Sequence, residues 1–163
     1  MKLQAATEDD IAGLVSLRAA VNQHLISRHG KGYWAVGLTD RGVRFSMRIG
    51  TVYVARDRDQ VIATLMLSTR KPWAIDTRYF TPCKRPLYLT SMEVNPEHQR
   101  KGIGRQCLEE AWRLAKEWPA DAIRLDAFDT AAGAGDFYRK CAFREVGRAV
   151  YRTAPLIYFE KLV

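Results

Sequence analysis

Long apolar runs are missing from this chain: none approaches the ~20 residues that a membrane-spanning helix needs, which excludes a helical membrane protein. Repeats, low-complexity stretches and Ser- or Gly-rich linkers are missing too. Nothing therefore marks a domain boundary, and a single domain over residues 1–163 is expected. Cysteine is scarce: Cys83, Cys107 and Cys141 are odd in number and lack metal-ligand spacing. With only His24, His29 and His98 beside them, no metal site is expected. The opening run Met1-Lys2-Leu3-Gln4-Ala5-Ala6-Thr7-Glu8 turns acidic at once and lacks the apolar centre of a secretory signal. These absences point to a reduced, soluble, cytoplasmic domain without a membrane partner.

Apolar residues make up 47% of the chain, enough to build a core and to argue against disorder. Lys and Arg number 26 against 18 Asp and Glu, a net charge of +8. That excess favours an anionic partner, whether nucleic acid, an acidic protein or a phosphorylated cofactor; the plain alternative is a basic, solvated surface. Basic residues thicken over Arg41–Arg58, over Arg70–Arg85, and in Gln99-Arg100-Lys101-Gly102-Ile103-Gly104-Arg105. Only the third cluster is interleaved with glycines. No nucleic-acid recognition motif accompanies the charge, so a nucleic-acid partner is not expected.

Leu3–Ala5 suits a short strand, and Thr7-Glu8-Asp9-Asp10 a helix N-cap with acids in the first turn. Ile11, Leu14, Val15, Val21 and Leu25 follow at helical spacing until the glycines of His29-Gly30-Lys31-Gly32-Tyr33-Trp34 break the pattern. A second short helix fits 40–47. The β-branched runs 51–55 and 61–67 flank a hairpin turn at 56–60. A Pro- and aromatic-rich loop over 71–86 precedes a strand at 87–94. Ile103, Cys107, Leu108, Ala111, Leu114, Ala115 and Trp118 form one apolar stripe, with Glu109 and Arg113 placed to pair on its wet side. Strands at 123–128, 143–151 and 156–162 surround a short helix at 133–141. The order β-α-α-β-β-β-α-β-α-β-β makes the class mixed α/β, and only the strand-helix-strand unit around Gly102 requires a parallel pair.

Chemistry concentrates in Met92-Glu93-Val94-Asn95-Pro96-Glu97-His98-Gln99-Arg100-Lys101-Gly102-Ile103-Gly104, where a strand ends and a long helix begins inside a basic, Gly-containing turn. First-turn amides of a helix lack intrahelical partners, and the helix dipole adds positive potential there. Glycines let a phosphate approach those amides, and Arg100, Lys101 and Arg105 add formal charge, so the segment suits a diphosphate. Neither Gly-x-x-x-x-Gly-Lys-Ser/Thr nor Gly-x-Gly-x-x-Gly occurs in it, which excludes a P-loop and the dinucleotide fingerprint.

The string Val94-x-Pro96-x-x-Gln99-x-x-Gly102-x-Gly104 resembles the acetyl-CoA-binding motif of the GNAT superfamily of N-acetyltransferases, Gln/Arg-x-x-Gly-x-Gly/Ala. Phe137-Tyr138-Arg139-Lys140-Cys141-Ala142-Phe143 resembles that family's second signature, a Tyr followed by Gly-Phe. The resemblance implies a central twisted, mostly antiparallel sheet of about six to seven strands with one parallel splayed pair, flanked by about four helices. It implies acetyl transfer from acetyl-CoA directly to a primary amine of a small molecule or a peptide or protein N-terminus, without metal. A homodimer is common in the family. A CoA-binding regulatory module without transfer activity is the alternative, since Ala131 stands where the family often has Asn.

Carried over to this chain, the resemblance implies that backbone groups of Met92, Glu93 and Val94 lie beside pantetheine. Amides from Gln99 through Arg100, Lys101, Gly102, Ile103, Gly104 and Arg105 would take the pyrophosphate. Tyr138 corresponds to the tyrosine that protonates the departing thiolate or holds its sulfur. The general base is Asp126, at a slot where ribosomal-protein N-terminal acetyltransferases carry Glu, or Glu93 on the adjacent strand, acting through water. Asp129 suits a helix cap, His98 lines the loop, and Cys107 belongs to the apolar stripe. The loops 30–40 and 70–85 would shape the acceptor site, and their positive, aromatic character suits an acceptor bearing a carboxylate or phosphate.

Overall fold

The computed structural model describes residues 1–163. Its elements run β1 (Gln4–Ala5), α1 (Ile11–His29), α2 (Asp40–Ile49), β2 (Thr51–Asp57), β3 (Gln60–Ser68), β4 (Pro86–Val94), α3 (Ile103–Glu117), β5 (Ala122–Phe128), α4 (Gly135–Lys140), β6 (Arg144–Tyr151) and β7 (Ala154–Leu162). The order and kinds of element are those expected from periodicity. Two compact units share the chain, one of Met1–Leu67 with Ser91–Ala111, the other of Ser68–Thr90 with Trp112–Val163. No helix is long and apolar enough to cross a membrane.

In the first unit, β1, β2 and β3 pair antiparallel, with Val52↔Met66 and Val54↔Thr64 in register. β-Branched residues suit a pleated, half-buried surface, which is why 51–57 and 60–68 fold back on each other. α1 lays Ile11, Leu14 and Leu17 on Val43 of α2 and on Val52, Val54, Val61 and Met66 of the hairpin. Burying one such side chain contributes about 1.5–3 kcal/mol. Thr39 caps α2 by accepting the Gly42 N–H at 3.1 Å. Asp10 accepts the Thr7 N–H at 2.8 Å and holds Arg56 of β2 through Nη2 at 2.6 Å, pinning the start of α1 to the sheet.

In the second unit, β4 and β5 run parallel, and β7 lies antiparallel between β5 and β6. Ile75, Phe80, Tyr88, Ala154, Leu156 and Tyr158 form its core beneath the 68–85 loop. Since β4 passes from one unit into the other, the strands read β1-β2-β3-β4-β5-β7-β6, seven strands with one parallel pair. The expected mixed α/β class, with its mostly antiparallel sheet, is the fold observed.

Two local expectations fail. Arg113 pairs with Glu117, one turn on along α3, rather than with Glu109, one turn back; both are four positions away, and spacing alone does not choose between them. Asp129 does not cap a helix: its carboxylate accepts Arg148 Nη1 at 3.0 Å, and α4 begins at Gly135 with no side-chain cap.

Candidate active site

The first unit carries the basic turn. β4 ends at Val94, and Asn95 ties the turn to β3 by donating its N–H to Ile62 O at 2.8 Å. The Asn95 side chain accepts the Glu97 N–H at 3.0 Å, starting a short turn over Pro96–His98, and Gln99 Nε2 reaches back to Val94 O at 3.1 Å. Backbone handedness then reverses twice, at Arg100 (φ 60°) and Gly102 (φ 80°), before α3 starts at Ile103. A Cβ on Gly102 would meet no atom within 4 Å, so the glycine is there for its conformation, and the space over the turn is open. The first backbone bond of α3 runs from Gln106 N to Gly102 O. The amides of Ile103 and Gly104 ahead of it have no carbonyl within the helix to meet. Arg100 and Lys101 are exposed and form no ion pair. Unspent amides, an open glycine and two uncompensated cations fit a diphosphate.

β4 is not a regular strand. Ser91 has φ 52°, a left-handed conformation uncommon for a residue with a Cβ. Two residues on, the Glu93 side chain is only 8% exposed. Nε of Arg18, from α1, donates to its Oε1 and Nη2 forms an ion pair with the same oxygen, while Oε2 is buried with no partner. Burial pushes the Glu93 carboxyl above its ordinary range and outweighs the lowering by Arg18. Beside it lies a cavity of about 30 Å³ lined by Leu14, Arg18, Leu38, Ser46, Ser91 and Glu93, among others. His98 Nε2 stands 3.8 Å from Asp57 Oδ2.

In the second unit the parallel pairing of β4 with β5 covers only Pro86↔Ala122, Leu87↔Ile123 and Tyr88↔Arg124, although β5 continues to Phe128. Tyr138 of α4 is buried among Phe137, Phe143 and Phe159, with ring centroids 5.4–5.8 Å away. Its hydroxyl has no hydrogen-bond partner. Burial, with the nearby charge of Asp126, pushes that hydroxyl well above the ordinary tyrosine range, so it stays protonated. The Asp126 carboxyl is also raised, by burial, and no cation offsets it. On the 68–85 loop a cleft of about 560 Å³ is lined by Lys71, Trp73, Asp76, Tyr79, Tyr151 and Tyr158, among others. Trp73 is 82% exposed there. Cys107 is fully buried, as its place on the apolar stripe requires, and no group of His, Cys, Asp and Glu could hold a metal ion.

Of the residues singled out from sequence, Met92 to Arg105 thus share one strand-turn-helix segment, while Asp126 and Tyr138 lie within electrostatic reach of each other on β5 and α4. Sequence reasoning missed Arg18, whose only signal is a charge within the first helix, and the left-handed Ser91, which no residue type announces.

The fold is a mixed α/β sheet with one short parallel pair, and a basic, glycine-bearing turn joins β4 of that pair to α3. A family model described as the acetyltransferase (GNAT) family matches residues 23–143. The chain belongs to that family, and acetyl transfer is the chemistry that membership carries. No curated protein sequence matches the chain significantly. Among solved structures, the chain is similar to the ribosomal-protein-alanine N-acetyltransferase of Brucella melitensis, with 20% identity, full coverage of both chains and a TM-score of 0.72. It is similar to YncA of Salmonella typhimurium, a putative acetyltransferase solved with its cofactor acetyl-CoA (17% identity, 99% of this chain and 93% of that one, TM-score 0.68). It also matches the PaiA N-acetyltransferase of Thermoplasma acidophilum in complex with coenzyme A (14% identity, 99% and 98% coverage, TM-score 0.72).

Proposed function

We propose that this chain, acting as one functional domain over residues 1–163, moves an acetyl group from acetyl-CoA to a primary amine of a small molecule or of a peptide or protein N-terminus. The observation that carries the reading is the turn at 99–104. Its left-handed Gly102 is open to solvent, the amides of Ile103 and Gly104 are unspent, and Arg100 and Lys101 are unpaired. Those groups, with Gln99 and Arg105, would take the pyrophosphate, and the backbone of Met92, Glu93 and Val94 would run beside pantetheine.

The amine must reach the carbonyl neutral, and an ammonium with pKa ~8–10 is mostly charged at pH 7. Glu93 takes its proton: the carboxyl is buried, its Oε2 is bare, and its raised pKa brings it closer to neutrality. Asp126, raised in the same sense, is the comparator. Tyr138 delivers a proton to the departing sulfur, a role suited to a hydroxyl that is kept protonated and has no competing partner. Positioning and these two proton transfers suffice, with no covalent enzyme intermediate. The cleft with Lys71, Trp73 and Tyr79 suits an acceptor carrying a carboxylate or phosphate beside its amine.

Calorimetric titration with acetyl-CoA, CoA and 3′-dephospho-CoA tests the reading, followed by thiol release across an amine library. One-to-one binding at micromolar Kd, about −8 kcal/mol, with thiol release on adding an amine, is expected. Binding without release across diverse amines would establish the regulatory alternative. No heat and no rise in Tm at high ligand would overturn the reading.

A further inference from the structure

Glu93 is held in an unusual way. A guanidinium normally meets a carboxylate fork to fork, one N–H on each oxygen. Here two Arg18 nitrogens converge on Oε1 alone, and Oε2 is left buried and unpartnered at the wall of the 30 Å³ cavity. A buried carboxylate oxygen without a partner costs about 1–3 kcal/mol or more, so its persistence calls for a visiting donor. The cavity has room for a water or an amino group. Ser46 and Thr64 on its wall already donate their hydroxyls, to Gly42 O at 3.1 Å and to Tyr53 O at 2.8 Å.

Arg18 has a second attachment. Its Nη1 lies 3.5 Å from Val36 O, a carbonyl that also accepts Asn22 Nδ2 at 2.8 Å. One side chain on α1 therefore touches both the buried acid and the segment between α1 and α2. Around the cavity, α2 contributes Val43 and Ser46, β2 Val52, β3 Thr64, Leu65 and Met66, and β4 Ser91, all uncharged. Arg18 is the one charged group facing Glu93.

We infer that Arg18 is the positioning residue of the transfer: by engaging Oε1 alone it presents Oε2 to the cavity as the proton acceptor, and through Val36 it ties that acceptor to the segment ahead of α2. The inference rests on the acetyltransferase reading with Glu93 as base. The proton leaves the acceptor's ammonium, directly or through one water, and ends on Oε2. No bond to Arg18 forms or breaks.

The test is the pH dependence of kcat/KM for an amine that the wild-type chain acetylates, alongside the Kd for acetyl-CoA. The base must be ionised, so activity falls as pH drops through its pKa. Losing Arg18 raises that pKa. Arg18→Met should move the acid limb upward by about one pH unit or more and cut kcat/KM at least about tenfold below it, leaving the acetyl-CoA Kd unchanged. Arg18→Lys keeps the charge without the two-point grip and should restore the limb while kcat stays several-fold low. Asn22→Ala loosens the Val36 tie alone and should raise the amine KM with the limb in place. Should Arg18→Met fail to fold, Arg18→Lys with an NMR titration of the ¹³C-labelled Glu93 carboxyl decides the matter. Transfer by Arg18→Met or Arg18→Lys with an unmoved limb and wild-type kcat, at whatever Tm, overturns the inference but leaves the proposed function standing. Absence of acetyl-CoA binding by the wild type overturns both.

Discussion

The ring of Tyr79 fills the space where Gly147 has no side chain: a Cβ there would sit 2.2 Å from Cδ1 and 2.9 Å from Cε1 of the tyrosine. The same ring packs edge-on against Tyr158, centroids 5.4 Å apart, and Tyr158 donates its hydroxyl to Ala74 O at 2.5 Å. The glycine thus lets the 68–85 loop lie flat on β6 and β7. Gly147→Ala should displace Tyr79 and cost about 1–3 kcal/mol, the range for overpacking. That corresponds to a fall of about 2–4 °C in Tm per kcal/mol for a chain of this size. Adding Tyr79→Ala to Gly147→Ala should cost less than the sum of the single changes, because the clash has one owner. Additive losses in thermal melts would show that the two positions are independent.

Much of this was legible in the sequence, and most of the failures share one cause. Strands 51–57 and 60–68 and the stripe of α3 declare themselves through β-branching and period, which are local. So does the basic turn at 99–104, because glycine and charge are read directly. Pairing is not local. Arg113 chose Glu117, and Asp129 chose Arg148, according to where the backbone carried them. Arg18 and Glu93 are separated by 75 positions, and nothing in either neighbourhood announces the other. Ser91 is hidden for a different reason: its left-handed backbone is imposed by the strand around it, at a residue type that carries no such preference.

The β6–β7 hairpin carries removable strain. Tyr151 pairs with Ala154, leaving a two-residue turn at Arg152 (φ 46°) and Thr153 (φ 72°). Two positive φ values define a type I′ turn, which favours Asn-Gly, and a β-branched residue is among the worst at either position. Replacing Arg152 by Asn and Thr153 by Gly should raise stability by about 1–2 kcal/mol. Denaturant unfolding with an unchanged m-value would report it, and a lower midpoint would mean that contacts of Thr153 outweigh the strain.

Asp10 sets part of the acid stability. Burial alone would raise its pKa, but the Thr7 N–H and Arg56 together hold it below the ordinary carboxylate range. The folded value lies below the unfolded one, so the stabilisation is complete above about pH 4 and is lost as pH falls through the lowered value. Asp10→Asn should cost about 1–3 kcal/mol near neutrality, since Arg56 loses its carboxylate. Its deficit against the wild type should shrink as pH drops below 4. A constant deficit down to pH 2 would assign the loss to packing.

Tyr138 separates function from stability cleanly. Its hydroxyl makes no hydrogen bond within the chain, so folding gains little from the oxygen and Tyr138→Phe should leave Tm within about 1–2 °C of the wild type. The ring contacts with Phe143 and Phe159 survive that change, so α4 stays seated. If it acts as the proposed proton donor to sulfur, the same oxygen should be worth about 10²–10⁴ in kcat. The acetyl-CoA Kd should stay within about twofold, because thiolate charge develops only as the thioester breaks. Since burial and Asp126 raise its pKa, the wild-type rate should show no basic limb from Tyr138 below about pH 10. A stable Tyr138→Phe protein with full kcat would remove the tyrosine from the mechanism; equal losses in kcat and cofactor affinity would recast it as a binding residue.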